Sequence, residues 1–132
     1  MATRTSPVVR GRFLALIGAQ ALHSVEEYFT RLYDVFPPAR FISGLFTTNL
    51  RLGFAAFNVA LVALGVWCYA VRIRPNHPAA AGWIWFWVVL ELGNGAGHLG
   101  MAAMRGAYYP GAATAPLLVA VGAMLAYRQV RG

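Results

Sequence analysis

The chain has 132 residues, of which 59% are hydrophobic and only 11% are charged, so it forms one domain at most and departs strongly from soluble globular proteins. All eleven basic residues are arginines, and against four acids they give a net charge of +7. These arginines border long apolar runs and do not line one polar face, so a nucleic-acid partner is not expected. The single cysteine, Cys68, excludes a disulfide framework.

Four apolar runs are each about long enough to cross a hydrocarbon core of roughly 30 Å. They cover residues 12–33, 50–73, 80–104 and 110–127. We therefore predict an all-α fold, a four-transmembrane-helix bundle in which residues 1–132 form a single integral-membrane domain. The segment between the first two spans, residues 34–49, contains a proline pair and an apolar stripe. It is predicted to be an outer-side amphipathic loop or short helix.

The first span has a competing interpretation as a secretory signal, because arginines precede an apolar stretch and Ala19-Gln20-Ala21 has the small-x-small form of a cleavage site. Its polar residues follow a helical period, however, which places them on one face. The face comprises Gln20, His23, Glu27, Thr30 and Asp34. A span with one polar face is expected to turn that face toward neighbouring helices.

The arginines also predict an orientation, since positive residues favour the cytoplasmic side of a membrane. If both termini share a side, seven arginines lie there, namely Arg4, Arg10, Arg12, Arg72, Arg74, Arg128 and Arg131. Four lie opposite, namely Arg31, Arg40, Arg51 and Arg105. We therefore expect a multi-pass protein of the inner or plasma membrane with both termini in the cytoplasm, and the lipid bilayer as its first partner.

Ionisable residues inside the spans are the main functional signal. Three of the four acids, Glu26, Glu27 and Glu91, fall there, as do His23 and His98. Each carboxylate near a bilayer centre costs at least about 2.5 kcal/mol, so such residues favour a functional site over a purely structural polar network.

Helical spacing predicts that these residues converge. On the third span Trp87, Glu91, Asn94 and His98 share a face, and Asn58 of the second span reaches a similar depth. Several glutamates at one depth must be protonated, paired with arginine or joined by a metal ion. Two imidazoles beside carboxylates match the ligands of zinc or non-haem iron. The expected metal ligands are His23, Glu27, Glu91 and His98.

The favoured function is an enzyme that acts on a lipophilic molecule, such as an isoprenoid, sterol-like or acyl compound, by acid–base chemistry with or without a metal. The expected catalytic residues are Glu26, Glu27, Glu91 and Asn94. The expected substrate-binding residues are Trp87, Asn58 and Phe54, under a roof formed by residues 41–46. Proton or metal-cation transport or sensing is one alternative, and alternating access by so short a chain would need a homodimer. A structural membrane subunit is the other.

The motif His23-Ser24-Val25-Glu26-Glu27, placed in the first of four spans, resembles the HXXEE family of small, mainly bacterial membrane proteins, which has no assigned activity. The resemblance extends over essentially the whole chain in length and number of spans. It implies that His23, Glu26 and Glu27 are the defining positions, and it supplies no reaction.

Overall fold

A computed structural model describes residues 5–131, and every regular element among them is helical, which confirms the all-α fold. Arg4, one of the arginines counted for orientation, lies outside the described residues. The helices are α1 (Pro7–Phe29), α2 (Leu32–Val35), α3 (Pro37–Phe46), α4 (Leu50–Cys68), α5 (Ala80–Arg105) and α6 (Ala115–Arg131). A π-helical turn, Tyr69–Ile73, continues α4, so the second predicted span is a single helical element.

The helices that correspond to the first and fourth apolar runs, α1 and α6, have bounds that differ from those runs. Helix α1 begins at Pro7, where the Ser6 hydroxyl caps it by accepting the amide of Val9 at 3.2 Å. It ends at Phe29, because Arg31 turns into the left-handed region with φ of 60°. The run 110–127, predicted as the fourth span, is helical only from Ala115, since residues 110–114 form turns before α6.

The segment between the first two spans is mostly helical, which agrees with the short-helix form of the prediction. Helix α3 packs closely on α4. At Gly53 of α4, an added Cβ atom would lie 2.0 Å from the carbonyl oxygen of Ser43 in α3. Only glycine permits this approach, so Gly53 fixes where α3 lies on the bundle.

The interior contains two apolar clusters. Helix α5 packs on α6, and α1 lies against both α6 and α4. We name the larger group the Phe13 cluster; it contains Val9, Phe13, Leu16, Ile17, Cys68, Ile73, Ala80, Ile84, Trp87, Val88 and Leu125. The smaller group, the Tyr109 cluster, contains Leu32, Tyr33, Phe54 and Tyr109. Along α1 and α5, buried polar side chains lie between these two clusters.

Within the described part of the chain, one helical element, Leu50–Ile73, is long and apolar enough by length and composition to cross a membrane. Its mean hydropathy is 2.0, and only 22% of its most apolar stretch is buried against other parts of the protein. This element therefore turns most of its apolar surface outward.

Candidate functional site

Helices α1, α4 and α5 bring a layer of polar side chains into the interior. The layer comprises Gln20, His23, Ser24, Glu27, Asn58, Glu91 and His98, all of them buried. Apart from the adjacent pair His23 and Ser24, successive positions on α1 and α5 are three or seven residues apart, so each helix presents them toward the interior. The structure thus brings together the two polar faces that the sequence places on the first and third spans.

Three of these side chains form a compact group with the character of a metal site. The Glu27 Oε1 atom lies 3.3 Å from His23 Nε2 and 2.9 Å from His98 Nε2. The potential ligand atoms of the three residues all lie within 4.8 Å of one another. Two imidazoles and one carboxylate at this separation can hold a metal ion, and zinc and non-haem iron both accept such ligands.

The loop between α5 and α6 contacts the outer edge of both imidazole rings. His23 Nδ1 lies 2.7 Å from Thr114 Oγ1, and His98 Nδ1 lies 2.6 Å from the carbonyl oxygen of Pro110. The two rings meet edge to face, with centroids 4.7 Å apart. Each histidine is therefore held on one side by this loop and turns its Nε2 atom toward Glu27.

A chain of hydrogen bonds leads from α4 to Glu91. Asn58 Nδ2 donates to the carbonyl of Phe54 at 3.0 Å, so its Oδ1 atom accepts the single Ser24 hydroxyl hydrogen at 2.7 Å. Gln20 Nε2 in turn donates to Ser24 Oγ at 3.0 Å. This direction leaves the Gln20 carbonyl oxygen facing Glu91 Oε2 at 2.6 Å.

Two oxygen atoms at 2.6 Å require a proton between them. If the Gln20 amide were turned over, its nitrogen would face the Asn94 amide nitrogen, which is also a donor. The Gln20 oxygen and Asn58 Oδ1 would then both have to accept the single Ser24 hydroxyl hydrogen. The consistent arrangement has Glu91 as a neutral acid that donates to Gln20. The Asn94 amide donates to the same Gln20 oxygen at 3.3 Å.

These polar groups open onto a cavity of about 530 Å³. Its lining includes Glu27, Glu91, Asn94 and His98 on the polar wall, and mainly Phe36, Ile42, Phe54, Phe57, Asn58, Leu61 and Val89 elsewhere. Phe54 and Asn58, two of the expected substrate-binding residues, both line this cavity. The α3 roof differs in detail, because Phe41 and Phe46 point outward and Ile42 and Ser43 face the cavity.

Three expected site residues lie elsewhere or act differently. Trp87 is fully buried in the Phe13 cluster, where its ring meets Phe13 edge to face at 6.3 Å, and it does not line the cavity. Glu26 faces the α5–α6 loop, because consecutive helical residues diverge by about 100°. Glu91 shares the cavity with the compact group of possible metal ligands but is not part of it.

Sequence reasoning missed the α5–α6 loop, residues 106–114. Short loops of small and aromatic residues carry no periodic signal, so nothing in the sequence marked Tyr108, Pro110 or Thr114 as neighbours of the histidines. The Tyr108 hydroxyl donates to Glu26. Burial, reinforced by this hydrogen bond to the Glu26 carboxylate, raises the pKa of the Tyr108 phenol, which therefore stays a hydrogen-bond donor across the neutral range.

The family model described as "Protein of unknown function with HXXEE motif" matches residues 14–126. The chain belongs to this family. Its motif residues are His23, Glu26 and Glu27. His23 and Glu27 belong to the compact group, whereas Glu26 faces the α5–α6 loop. A search of curated proteins gave no match, and a search of solved structures gave none either.

Proposed function

We propose that the chain is an integral membrane protein in which α1, α4, α5 and α6 cross the bilayer. Support comes from apolar side chains that project outward from each of these helices. Val25, Val59, Phe86 and Met124, one from each helix, are 51%, 70%, 46% and 50% exposed. Apolar exposure on every long helix far exceeds what a soluble monomer tolerates, whereas lipid would cover it at no cost.

The orientation we propose has both termini in the cytoplasm and α3 at the opposite surface, following the distribution of arginines. Reporter fusions after Gly132 and at Ser43 in α3 should give opposite signals in a bacterial host. A fusion after His77, in the turn between the second and third spans, serves as the control and should match the one after Gly132. Identical signals at Gly132 and Ser43 would contradict four spans.

We further propose that the protein is an enzyme acting on a lipophilic molecule. One observation carries this proposal: Glu27 and His98 of the compact group and the acid Glu91 line the same cavity, whose remaining walls are largely apolar. A volume of about 530 Å³ is within the range of small-molecule sites. An apolar cavity with convergent polar groups at one wall suits an isoprenoid, sterol-like or acyl compound that carries a single polar function.

Each polar residue has a role in this proposal. His23, Glu27 and His98 hold a divalent metal ion, zinc or iron, which supplies a Lewis acid when it is bound. Glu91 is the general acid, because it carries a proton and faces the cavity. Asn94 and Asn58 hydrogen bond to the substrate or to neighbouring residues, and Phe54 packs against the apolar part.

Metal analysis tests the first half of the proposal. Protein purified in detergent should contain close to one equivalent of zinc or iron, and His23→Ala should contain none. His77→Ala is the matched control, since His77 lies in the turn before α5, away from the compact group. Metal-free wild-type protein that also fails to take up added zinc or iron would contradict the metal centre.

Lipid analysis tests the second half. Total lipid extract incubated with wild-type protein should lose one species and gain another by mass spectrometry, whereas Glu91→Gln and His98→Ala should produce no change. Unchanged lipids with wild-type protein that does hold metal would contradict the enzyme and favour cation transport or sensing. The hydrogen-bonded chain from Asn58 to Glu91 supports that second candidate function. Measurement of proton or zinc flux into proteoliposomes would test it.

A further inference from the structure

The two adjacent glutamates of the motif face in different directions. Glu27 turns toward the histidines, whereas Glu26 turns toward the α5–α6 loop. The Glu26 carboxylate accepts the hydroxyl of Tyr108 and the amide of Ala113 at 3.0 Å on Oε1. On Oε2 it accepts the amide of Thr114 at 2.8 Å and its hydroxyl at 2.5 Å. Four donors converge on one carboxylate, so Glu26 binds the loop as an anion.

The same loop determines which nitrogen of each histidine carries hydrogen. Thr114 gives its one hydroxyl hydrogen to Glu26, so its oxygen can only accept from His23 Nδ1. The Pro110 carbonyl has no hydrogen, so it too accepts, from His98 Nδ1. Both histidines therefore carry hydrogen on Nδ1. In the neutral form of each histidine, Nε2 carries no hydrogen and has a free lone pair.

These lone pairs point at a third acceptor. His23 Nε2 and His98 Nε2 lie 3.3 and 2.9 Å from Glu27 Oε1, and His23 Nε2, fully buried, has no hydrogen-bond partner among the described residues. Three converging acceptors repel one another unless a proton or a metal ion lies between them. Ligand atoms bound tetrahedrally to one zinc ion lie about 3.3 Å apart, which matches the His23 distance, whereas the His98 distance is shorter.

The loop is also in direct contact with the rings. Gly111 has φ of 90°, and an added Cβ atom there would lie 2.5 Å from His98 Nδ1 and 2.8 Å from His23 Cε1. A glycine backbone is therefore needed for the loop to cover both imidazoles. The loop cannot shift outward without losing its hydrogen bonds to Glu26. Its position on the imidazoles therefore depends both on the glycine at 111 and on the contacts with Glu26.

We propose that Glu26 is a positioning residue: it holds the α5–α6 loop so that Thr114 and Pro110 keep His23 and His98 in the Nδ1–H form, with both Nε2 atoms available to a metal ion. The part that concerns metal affinity rests on the metal centre proposed above. The assignment of hydrogens to Nδ1 does not, because it concerns the metal-free protein. Outer partners of this kind orient metal-binding histidines and raise their basicity.

Cobalt titration tests the effect on affinity. Full-length, metal-free protein in detergent is titrated with Co²⁺ and followed by the visible absorption of the bound ion. Glu26→Gln should weaken binding by about 10- to 100-fold and alter the spectrum, because the amide cannot accept four donors. Thr114→Val should do the same, whereas Thr114→Ser, which keeps the hydroxyl, should stay within about threefold of wild type. This pair also tests the proposal if Glu26→Gln does not fold.

Nitrogen NMR of ¹⁵N-histidine-labelled protein tests the hydrogens without metal. Wild-type protein should show hydrogen on Nδ1 of both His23 and His98, with His77→Gln used to remove the third histidine from the spectrum. In Glu26→Gln and Thr114→Val, His23 should lose this preference.

Hydrogen on Nε2 alone in wild-type His23 would overturn the proposal. Unchanged NMR spectra and unchanged cobalt affinity in both Glu26→Gln and Thr114→Val would overturn it as well. If wild-type protein carries hydrogen on Nδ1 of both histidines but binds no cobalt, the proposed metal centre is wrong. The positioning role of Glu26 would then be supported by NMR alone.

Discussion

The Phe13 cluster and the polar layer lie on the same two helices yet differ in what holds them together. On α1 the interior changes from Leu16 to Gln20 within one turn, and on α5 it changes from Trp87 to Glu91 within one turn. The Phe13 cluster is a packed apolar core. The polar layer instead buries ionisable groups, which is why we propose a chemical role for it.

The largest effect on stability is expected in the Phe13 cluster. Phe13→Ala removes a fully buried ring that packs against Trp87 and should lower the free energy of unfolding in detergent by about 3 kcal/mol or more. Leu14→Ala is the control, because the neighbouring Leu14 side chain points outward and its loss should cost less than about 1 kcal/mol. Equal losses in the two variants would mean that the Phe13 cluster is not a packed core.

In the polar layer the largest expected effect is the loss of the response to metal. At a free metal concentration 100 times the dissociation constant, binding should stabilise wild-type protein by about 2.7 kcal/mol, so a chelator should lower its melting temperature. Glu27→Gln removes the shared ligand, and its melting temperature should not respond to chelator.

Asp34→Asn is the matched control for Glu27→Gln, since Asp34 pairs with Arg31 outside the polar layer. This variant should respond to chelator as wild type does. A wild-type melting temperature that is identical with chelator and with added zinc or iron would argue against a bound metal.

A smaller effect is expected from breaking the hydrogen-bonded chain. Ser24→Ala leaves the Gln20 amide and the Asn58 carbonyl oxygen without their shared partner, which should cost about 1–3 kcal/mol. Ser43→Ala removes an equally buried hydroxyl that bonds only to a carbonyl of its own helix, and it should cost less than about 0.5 kcal/mol. Equal effects on chemical denaturation would show that the chain adds nothing specific.

Much of this comparison could be predicted from helical periodicity. A repeat of 3.6 residues placed His23 with Glu27 and Glu91 with His98 on single faces, because regular helices transmit spacing directly into geometry. The same argument put Trp87 on the polar face, yet its ring joins the Phe13 cluster one turn away, where the interior is apolar. Periodicity gives the direction of a side chain and not the depth at which the interior changes character.

The parts that could not be predicted depend on irregular structure. Arg31 ends α1 through a left-handed backbone conformation, which arginine rarely adopts and no pattern marks. The α5–α6 loop brings Pro110 and Thr114 onto the histidines through contacts between residues far apart in the chain. The role of Glu26 followed from this loop, so the motif alone could not separate its two glutamates.

The smallest effect on stability is expected for Glu91→Gln, and its sign separates the two regions most sharply. In the arrangement assigned above, Glu91 is a neutral acid that donates to Gln20, and an amide of the same shape can donate to the same oxygen. The melting temperature in detergent should therefore stay the same or rise, whereas trimming a residue of the Phe13 cluster lowers it. Turnover of the lipid species identified with wild-type protein should nevertheless be lost, since an amide cannot transfer a proton. Glu91→Ala is the companion variant: it leaves the Gln20 oxygen with only the long hydrogen bond from Asn94 at 3.3 Å and should lower the melting temperature. If Glu91→Gln is as destabilised as Glu91→Ala, Glu91 is an ionised structural group, and the assignment of the general acid is wrong.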